Sequence, residues 1–247
     1  MRGISSNRLC AQKGWAVDKQ RQVTPGARTV ALQVEDSLGA LSPVFSRTIA
    51  GTTLGLIASP TTVVYGGAVR LSGLLRTSGT TTGLGGRTVN LLRCSTTYTS
   101  CVKIAAVATS NTASTRGQYA FLVKPSANTG YRTEYAGGVH RIGSRAQALT
   151  MVRVTVSVTA SATILRLGQT STLSGAVGPN RAGLRVYLQR WSGYAWSTVA
   201  SRTLTSTSLY SYVVRPTSRG ASYYQVVYAG DTTHLAGVSH PVTIQTS

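Results

Sequence analysis

Residues 131–137 read YRTEYAG and residues 224–230 read YQVVYAG, a Tyr-x-x-x-Tyr-Ala-Gly phrase written twice, 93 residues apart. In the first copy Tyr131, Thr133 and Tyr135 alternate with Arg132 and Glu134; in the second, Tyr224, Val226 and Tyr228 form the corresponding set. Successive side chains of a strand point to opposite faces, so a period of two predicts a half-buried strand with its tyrosines turned inward. The Ala-Gly that follows closes each strand into a turn.

The phrase has company in both directions. LSG at 71–73 recurs at 173–175, with Gly66 matched by Gly168 at the same offset of 102. GRTVNLLR (86–93) matches GLRVYLQR (183–190), and QYAFLVKP (118–125) matches LYSYVVRP (209–216). Four matches in one order, with an offset that drifts as loops gain or lose residues, mark a duplicated unit. Alternation recurs inside each: Tyr119, Phe121 and Val123 share a face, as do Tyr210, Tyr212 and Val214, while Val89 and Leu91 oppose Asn90 and Leu92. Turn-forming clusters such as SGTTTGLGG (78–86) and GPNRAG (178–183) separate the runs.

About seven short strands in a unit of about 95 residues is the pattern of an antiparallel β-sandwich. Strands are expected near 53–58, 68–75, 87–93, 101–109, 118–124, 130–136 and 146–154. The second copy places them near 155–160, 169–176, 184–190, 196–204, 208–215, 222–229 and 238–245. The expected organisation is an all-β chain: a partial segment at 1–51, one Ig-like sandwich at 52–154 and a second at 155–247.

Together these features resemble bacterial Ig-like repeats of the actinobacterial type: a Gly then LSG, a V-x-L strand, an aromatic-x-aromatic strand ending in basic-Pro, the Tyr-Ala-Gly phrase, and a late Ser (Ser144 or Ser239). The resemblance covers about residues 52–247 and implies a secreted or cell-surface protein. Such modules serve as spacers, adhesins and enzyme accessories, so fold does not name the function. Neither copy has the Cys…Trp…Cys core of antibody domains.

Residues 1–51 differ. TPGARTVALQVEDSLGALSPVFSRTI (24–49) resembles the last two strands of a PKD-type or related Ig-like domain, with Val30, Leu32 and Val34 on one apolar face; GWAVD (14–18) reads as one more strand. That is too few for a closed sandwich. The remaining strands lie upstream, or a partner chain donates one, or these strands form a layer docked on the first sandwich. The N-terminus has basic residues but no apolar h-region, so the chain begins after an export signal or is a piece of something longer. No run approaches the apolar length of a membrane span.

The charge is lopsided: 25 Lys+Arg against 5 Asp+Glu, a formal net charge of +20. That favours polyanionic partners such as an anionic cell-envelope polymer. The heavy use of Arg over Lys also fits a compositional bias, since only Lys13, Lys19, Lys103 and Lys124 are lysines. Arg141, Arg145, Arg153 and Arg166, near the end of the first copy and the loop after it, are the candidate basic patch.

Cys94 and Cys101 bracket the hairpin CSTTYTSC and are read as a disulfide, with Trp191 and Thr198 of WSGYAWST at the equivalent positions; Cys10 has no assigned partner. Tyr187, Arg190, Trp191 and Tyr194 are the candidate ligand contacts, an aromatic and cationic surface suited to a sugar ring, with Trp196 assigned to the core. His140, His234 and His240 read as solvated loop residues, too few and too scattered for a zinc site. Five acids across the chain argue against calcium. G-x-S-x-G, H-E-x-x-H and a phosphate-cradling loop are all missing, and Glu35 and Asp36, adjacent in a strand, face apart. No catalytic residue and no cofactor are expected.

The sequence therefore points to a non-enzymatic extracellular or cell-surface structural and adhesive module, a semi-rigid spacer joined by the linkerless run MVRVTVSVTAS (151–161). Each sandwich would add roughly 30–40 Å. One alternative is a binding module for an anionic envelope polymer or glycan; another is a subunit that self-assembles into a filament by strand donation. Other copies or upstream domains of a larger surface protein are the expected partners. Nucleic acid is disfavoured because no nucleic-acid-reading motif is present.

Overall fold

The computed structural model describes residues 26–35 and 39–247. The strand read at 14–18, the lone Cys10 and Asp36 lie outside the described residues. Among the described residues the structure is strands and turns, with one three-residue 3-10 turn at Ala113–Thr115.

The first sandwich is built from β3 (Thr52–Leu54), β4 (Ile57–Ser59), β5 (Thr62–Val64), β6 (Val69–Thr77), β7 (Thr88–Cys94), β8 (Cys101–Ala108), β9 (Gln118–Val123), β10 (Thr129–Gly138) and β11 (Arg141–Arg153). One sheet pairs β3 and β4 with β6, and β6 with β9; the other runs β5-β11-β10-β7-β8. The second sandwich repeats this with β12 (Thr155–Val156), β13 (Thr159–Ala160), β14 (Ile164–Leu165), β15 (Ser171–Gly178), β16 (Arg185–Trp191), β17 (Trp196–Thr203), β18 (Leu209–Val214), β19 (Gly220–Tyr228), β20 (Gly237–Val238) and β21 (Val242–Thr246). Its sheets join β12, β13 and β18 to β15, and run β14-β21-β19-β16-β17 with β20 also on β19.

Every strand expected in the two sandwiches is present, and the first strand of each copy is more divided than the alternation implied. It starts antiparallel to β6 (or β15), then crosses to the other sheet, where β5 runs parallel to β11 and β14 parallel to β21. Pro60, which has no amide proton to give the ladder, marks the crossing in the first copy. At the matching point of the second, Ala162 gives its amide to the Ser171 hydroxyl at 3.2 Å.

The repeated phrase does what its period implies. Tyr131, Thr133 and Tyr135 on β10, and Tyr224, Val226 and Tyr228 on β19, are all buried. They pack with Val69, Leu71, Val89 and Leu91 in the first sandwich and Leu173, Val186, Leu188 and Ile244 in the second. The LSG phrase and the aromatic strand form one device. Tyr119 donates its hydroxyl to the Gly55 carbonyl, and Tyr210 donates to that of Ser157, both across the inner strand. A Cβ on Gly73 would stand 1.9 Å from the Gly55 oxygen, and on Gly175 1.8 Å from the Ser157 oxygen. The glycine leaves room for a hydrogen bond that satisfies a carbonyl where the first strand leaves the ladder. Burial pushes the Tyr119 hydroxyl up to about 12.

Ahead of these, β1 (Arg28–Leu32) and β2 (Phe45–Ile49) pair antiparallel as a two-stranded ribbon. The apolar face read at Val30, Leu32 and Val34 is present but uncovered: Val30 is 55% exposed, Val34 56% and Phe45, opposite, 69%.

Candidate functional site

The most elaborate polar cluster lies where the two sandwiches meet. β11 ends at Arg153 and β12 begins at Thr155, so Val154 alone separates them. The turn after β19 of the second sandwich docks beside this crossing: Leu235 donates its amide to Val152 and its carbonyl receives the amide of Val154. From the first sandwich, Asn128 donates its amide to Thr233 at 2.8 Å while its side-chain oxygen receives the amide of Val152. Arg153 reaches the Ala236 carbonyl at 2.9 Å.

His234 sits inside this contact and is only 3% exposed, which corrects the reading of it as a solvated loop residue. A turn histidine is exposed on an isolated sandwich; here the neighbouring sandwich covers it. Its Nε2 proton goes to the Ser126 carbonyl at 2.7 Å, since a carbonyl can only accept. Nδ1 then accepts from the Arg181 guanidinium. Asp231 organises the turn, with Oδ1 receiving the amides of Thr233 and His234 at 2.6 and 2.9 Å and Oδ2 receiving the Tyr228 hydroxyl. Arg181 Nη1 stands 3.5 Å from Oδ2.

Burial disfavours charge on Asp231, and the hydrogen bonds from Thr233 and Tyr228 together with Arg181 outweigh it, holding the carboxyl well below the usual range. Burial holds His234 below the ordinary imidazole value; the Arg181 charge adds to this, against the pull of Ser126 and Asp231. The result is a neutral imidazole clasped between a guanidinium and a backbone carbonyl of the other sandwich.

A relative of this joint precedes the first sandwich. Ala50 donates its amide to the His140 carbonyl and accepts that of Ile142, and Arg47 lies 2.9 Å from His140 Nε2. His140 and His234 occupy matching turns, each beside an arginine. Thus β2 runs into the first sandwich as β11 runs into the second. His140 and His240 are exposed.

The hairpin candidates fall elsewhere. Cys94 and Cys101 are register partners joined by a disulfide, S–S 2.02 Å. In the second sandwich the partners are Trp191 and Trp196, not Trp191 and Thr198, because its hairpin loop is two residues shorter; the bulge after Leu188 recurs after Leu91 in the first copy. One sandwich closes this hairpin with a disulfide, the other with two indoles 5.5 Å apart at 56°. Trp196 is half-buried against Trp191 rather than in the core. Tyr194, at the tip, is 95% exposed; Tyr187 is half-buried; Arg190 reaches Ser222 at 3.4 Å.

The candidate basic patch does not assemble. Arg141 and Arg153 are the two ends of β11, whose 13 residues at ~3.3 Å each span about 40 Å. Arg141 bonds Thr77 near the first joint, Arg145 sits opposite Glu134 on β10, and Arg153 serves the second joint. Arg166 follows β14 at the far end of the second sandwich, near Ser247.

Two grooves occupy the same place on the outer face of the four-stranded sheet of each copy, beside Gly73 and Gly175. Hydroxyls and arginines (Arg70 and Arg76, or Arg202) line them, with no His, Cys, Asp or Glu in either. Among the described residues no three His, Cys, Asp or Glu side chains gather as metal ligands, and no helix is long and apolar enough to cross a membrane.

A four-stranded sheet is paired with a five-stranded one in the first copy and with a six-stranded one in the second, and in each the first strand crosses between the two sheets. The fold is all-β, two Ig-like β-sandwiches in tandem. No family model and no curated protein matches the sequence. Among solved structures, the D0-D1 domain of intimin is 11% identical over 78% of this chain and 98% of its own, with a TM-score of 0.29. A tetra-tandem repeat from the extending region of a large adhesion protein is 17% identical over 89% of this chain and 57% of its own, TM-score 0.33. The Yersinia pseudotuberculosis adhesin InvE is 12% identical over 81% and 60%, TM-score 0.33.

Proposed function

We infer that the chain is a non-enzymatic structural and adhesive module of a secreted or cell-surface protein, a semi-rigid spacer. The joint carries this reading. A single residue between sandwiches, backbone hydrogen bonds in both directions and a buried His234, held by Arg181 and Asp231 of its own sandwich and bonded to Ser126 of the other, restrict the hinge that a flexible linker would allow. Its partners are other modules of the same surface protein and the envelope it stands on.

A second reading is a binding module for an anionic envelope polymer or glycan, favoured by the exposed Tyr194 and the paired indoles of Trp191 and Trp196. Assembly by strand donation is favoured by the uncovered apolar face of β1 and β2. Sedimentation with washed bacterial envelopes at about 50 and about 500 mM salt separates the readings. A pure spacer stays in solution at both; capture that salt abolishes is electrostatic; capture that survives salt and requires Trp191 is aromatic.

A further inference from the structure

The outward face of the larger sheet in the second sandwich carries an aromatic row longer than the hairpin. Trp196 of β17 is opposite Trp191 of β16. The β16–β19 register pairs Gln189 with Gln225 and Arg190 with Tyr224, so Tyr223 is the next neighbour of Trp191 on β19, and Tyr223 is opposite Thr243 of β21. Strands lie about 4.8 Å apart, so the three aromatic residues cross about 10 Å of sheet. Tyr223 is exposed and both indoles are half-exposed. One rung below, Gln225 Nε2 donates to Gln189 Oε1 at 2.9 Å, leaving a neutral amide pair with spare donors and acceptors. The same rung of the first sandwich holds Cys101, Cys94 and Gly130, so this surface belongs to the second copy alone.

The row lies at the end of the sandwich away from the joint, and that end is cationic. Arg166 follows β14, and Arg215 and Arg219 flank the loop between β18 and β19; all three are exposed, and Arg215 reaches across to Gly168. Arg190, next to Trp191 in β16, turns to the inner face with Tyr224 and bonds Ser222, so it is no part of this rim. The second copy contains one acidic residue, Asp231, and it is at the opposite end. The matching end of the first sandwich is covered by its neighbour through Asn128; here Arg219 follows RPTS where Asn128 follows KPSA. The residue that makes the joint is replaced by a charge.

We propose that this end of the second sandwich binds an acidic polysaccharide, with the sugar faces on Trp196, Trp191 and Tyr223, hydroxyls on Gln189 and Gln225, and carboxylate, sulfate or phosphate groups on the arginine rim. This rests on, and deepens, the reading of the chain as a glycan-binding module. Aromatic faces take the C–H surface of a pyranose, amides exchange hydrogen bonds with its hydroxyls, and guanidinium forks match planar oxyanions. A neutral glycan would use the row without the rim, and a polyphosphate the rim without the row.

The test is titration of the whole chain with polygalacturonate, a polyuronate, and with a neutral β-glucan, followed by heat release and by the side-chain NMR signals of Trp191, Trp196, Gln189 and Gln225. Polygalacturonate is expected to bind and to shift those signals, and the neutral glucan to bind at least tenfold more weakly. Tyr223→Thr, which keeps a strand-forming residue on the surface, is expected to weaken binding about fivefold to tenfold. Arg215→Gln with Arg219→Gln is expected to reduce the salt dependence while leaving the fold's melting unchanged. Polygalacturonate binding that survives these variants but fails in Arg70→Gln with Arg76→Gln would overturn this site and keep the glycan-binding reading. Equal binding of the neutral glucan would overturn the acidic class. No binding of either probe would overturn both the site and the reading.

Discussion

Replacing Asp231 with Asn probes the clasp at the joint with little change of shape. The amide oxygen can still receive the Thr233 and His234 amides, but Nδ2 cannot accept the Tyr228 hydroxyl or pair with Arg181. One charge-assisted hydrogen bond of about 1.5–3 kcal/mol is lost and a guanidinium stays beside a neutral imidazole without its counter-ion. The side chains of Arg181 and Asp231 keep 15% and 22% exposure, which places the loss below the 3–5 kcal/mol of a fully buried broken pair. The expected destabilisation is about 2–3 kcal/mol, or roughly 10–20 °C in the melting of the second sandwich at 4–8 °C per kcal/mol. Calorimetry resolving the two sandwiches measures it, with the first sandwich's transition moving less. A loss under about 0.5 kcal/mol would refute the reasoning, because a surface substitution does no more.

The remaining predictions concern the duplicated tyrosine, acid and the disulfide. Gly175→Ala drives a Cβ against the Ser157 carbonyl and is expected to cost about 2–3 kcal/mol by overpacking, while Tyr210→Phe costs about 1–1.5 kcal/mol; denaturant midpoints should rank them in that order. His234 is held below the ordinary imidazole value of about 6.5 by its burial, so the unfolded chain takes up a proton before the folded one as pH falls through that value. Stability is then lost with acid from about pH 6.5 downward, and again through the carboxylate range as Asp231 resists protonation. His234→Gln keeps a donor for Ser126 and should remove the first step in a melting-versus-pH series. Cys94→Ser with Cys101→Ser opens a loop of 7-residue separation and is expected to lower stability by about 2.5 kcal/mol, read as a shift of the first transition only.

Strands were legible in the sequence because burial here follows a period of two, and Tyr131, Thr133 and Tyr135 declare it without help from distant residues. The parallel pieces β5 and β14 were not. Three residues of TVV and two of IL are too short to carry a period, and their partners lie about 80–90 residues away. His234 was misread because its burial comes from another sandwich, which no pattern within one copy reveals. The matching position of His140 beyond the other Tyr-Ala-Gly phrase was the available signal. Trp196 was assigned inward because the bulge in β17 breaks the alternation that the assignment assumed. The arginines of β11 look clustered in sequence, yet strand geometry draws them out along the molecule. Tyr223 escaped notice because it stands 27 positions from Trp196 and joins it only through register.

The stiffness of the joint is the central claim, and residual dipolar couplings of backbone amides in weakly aligned protein test it most directly. At pH 7.5 the account predicts that residues 52–153 and 155–247 fit one alignment tensor of the same magnitude and orientation, and that His234→Ala separates them. Two tensors of clearly different magnitude in the unmodified protein would mean that the sandwiches move independently, and would contradict the account.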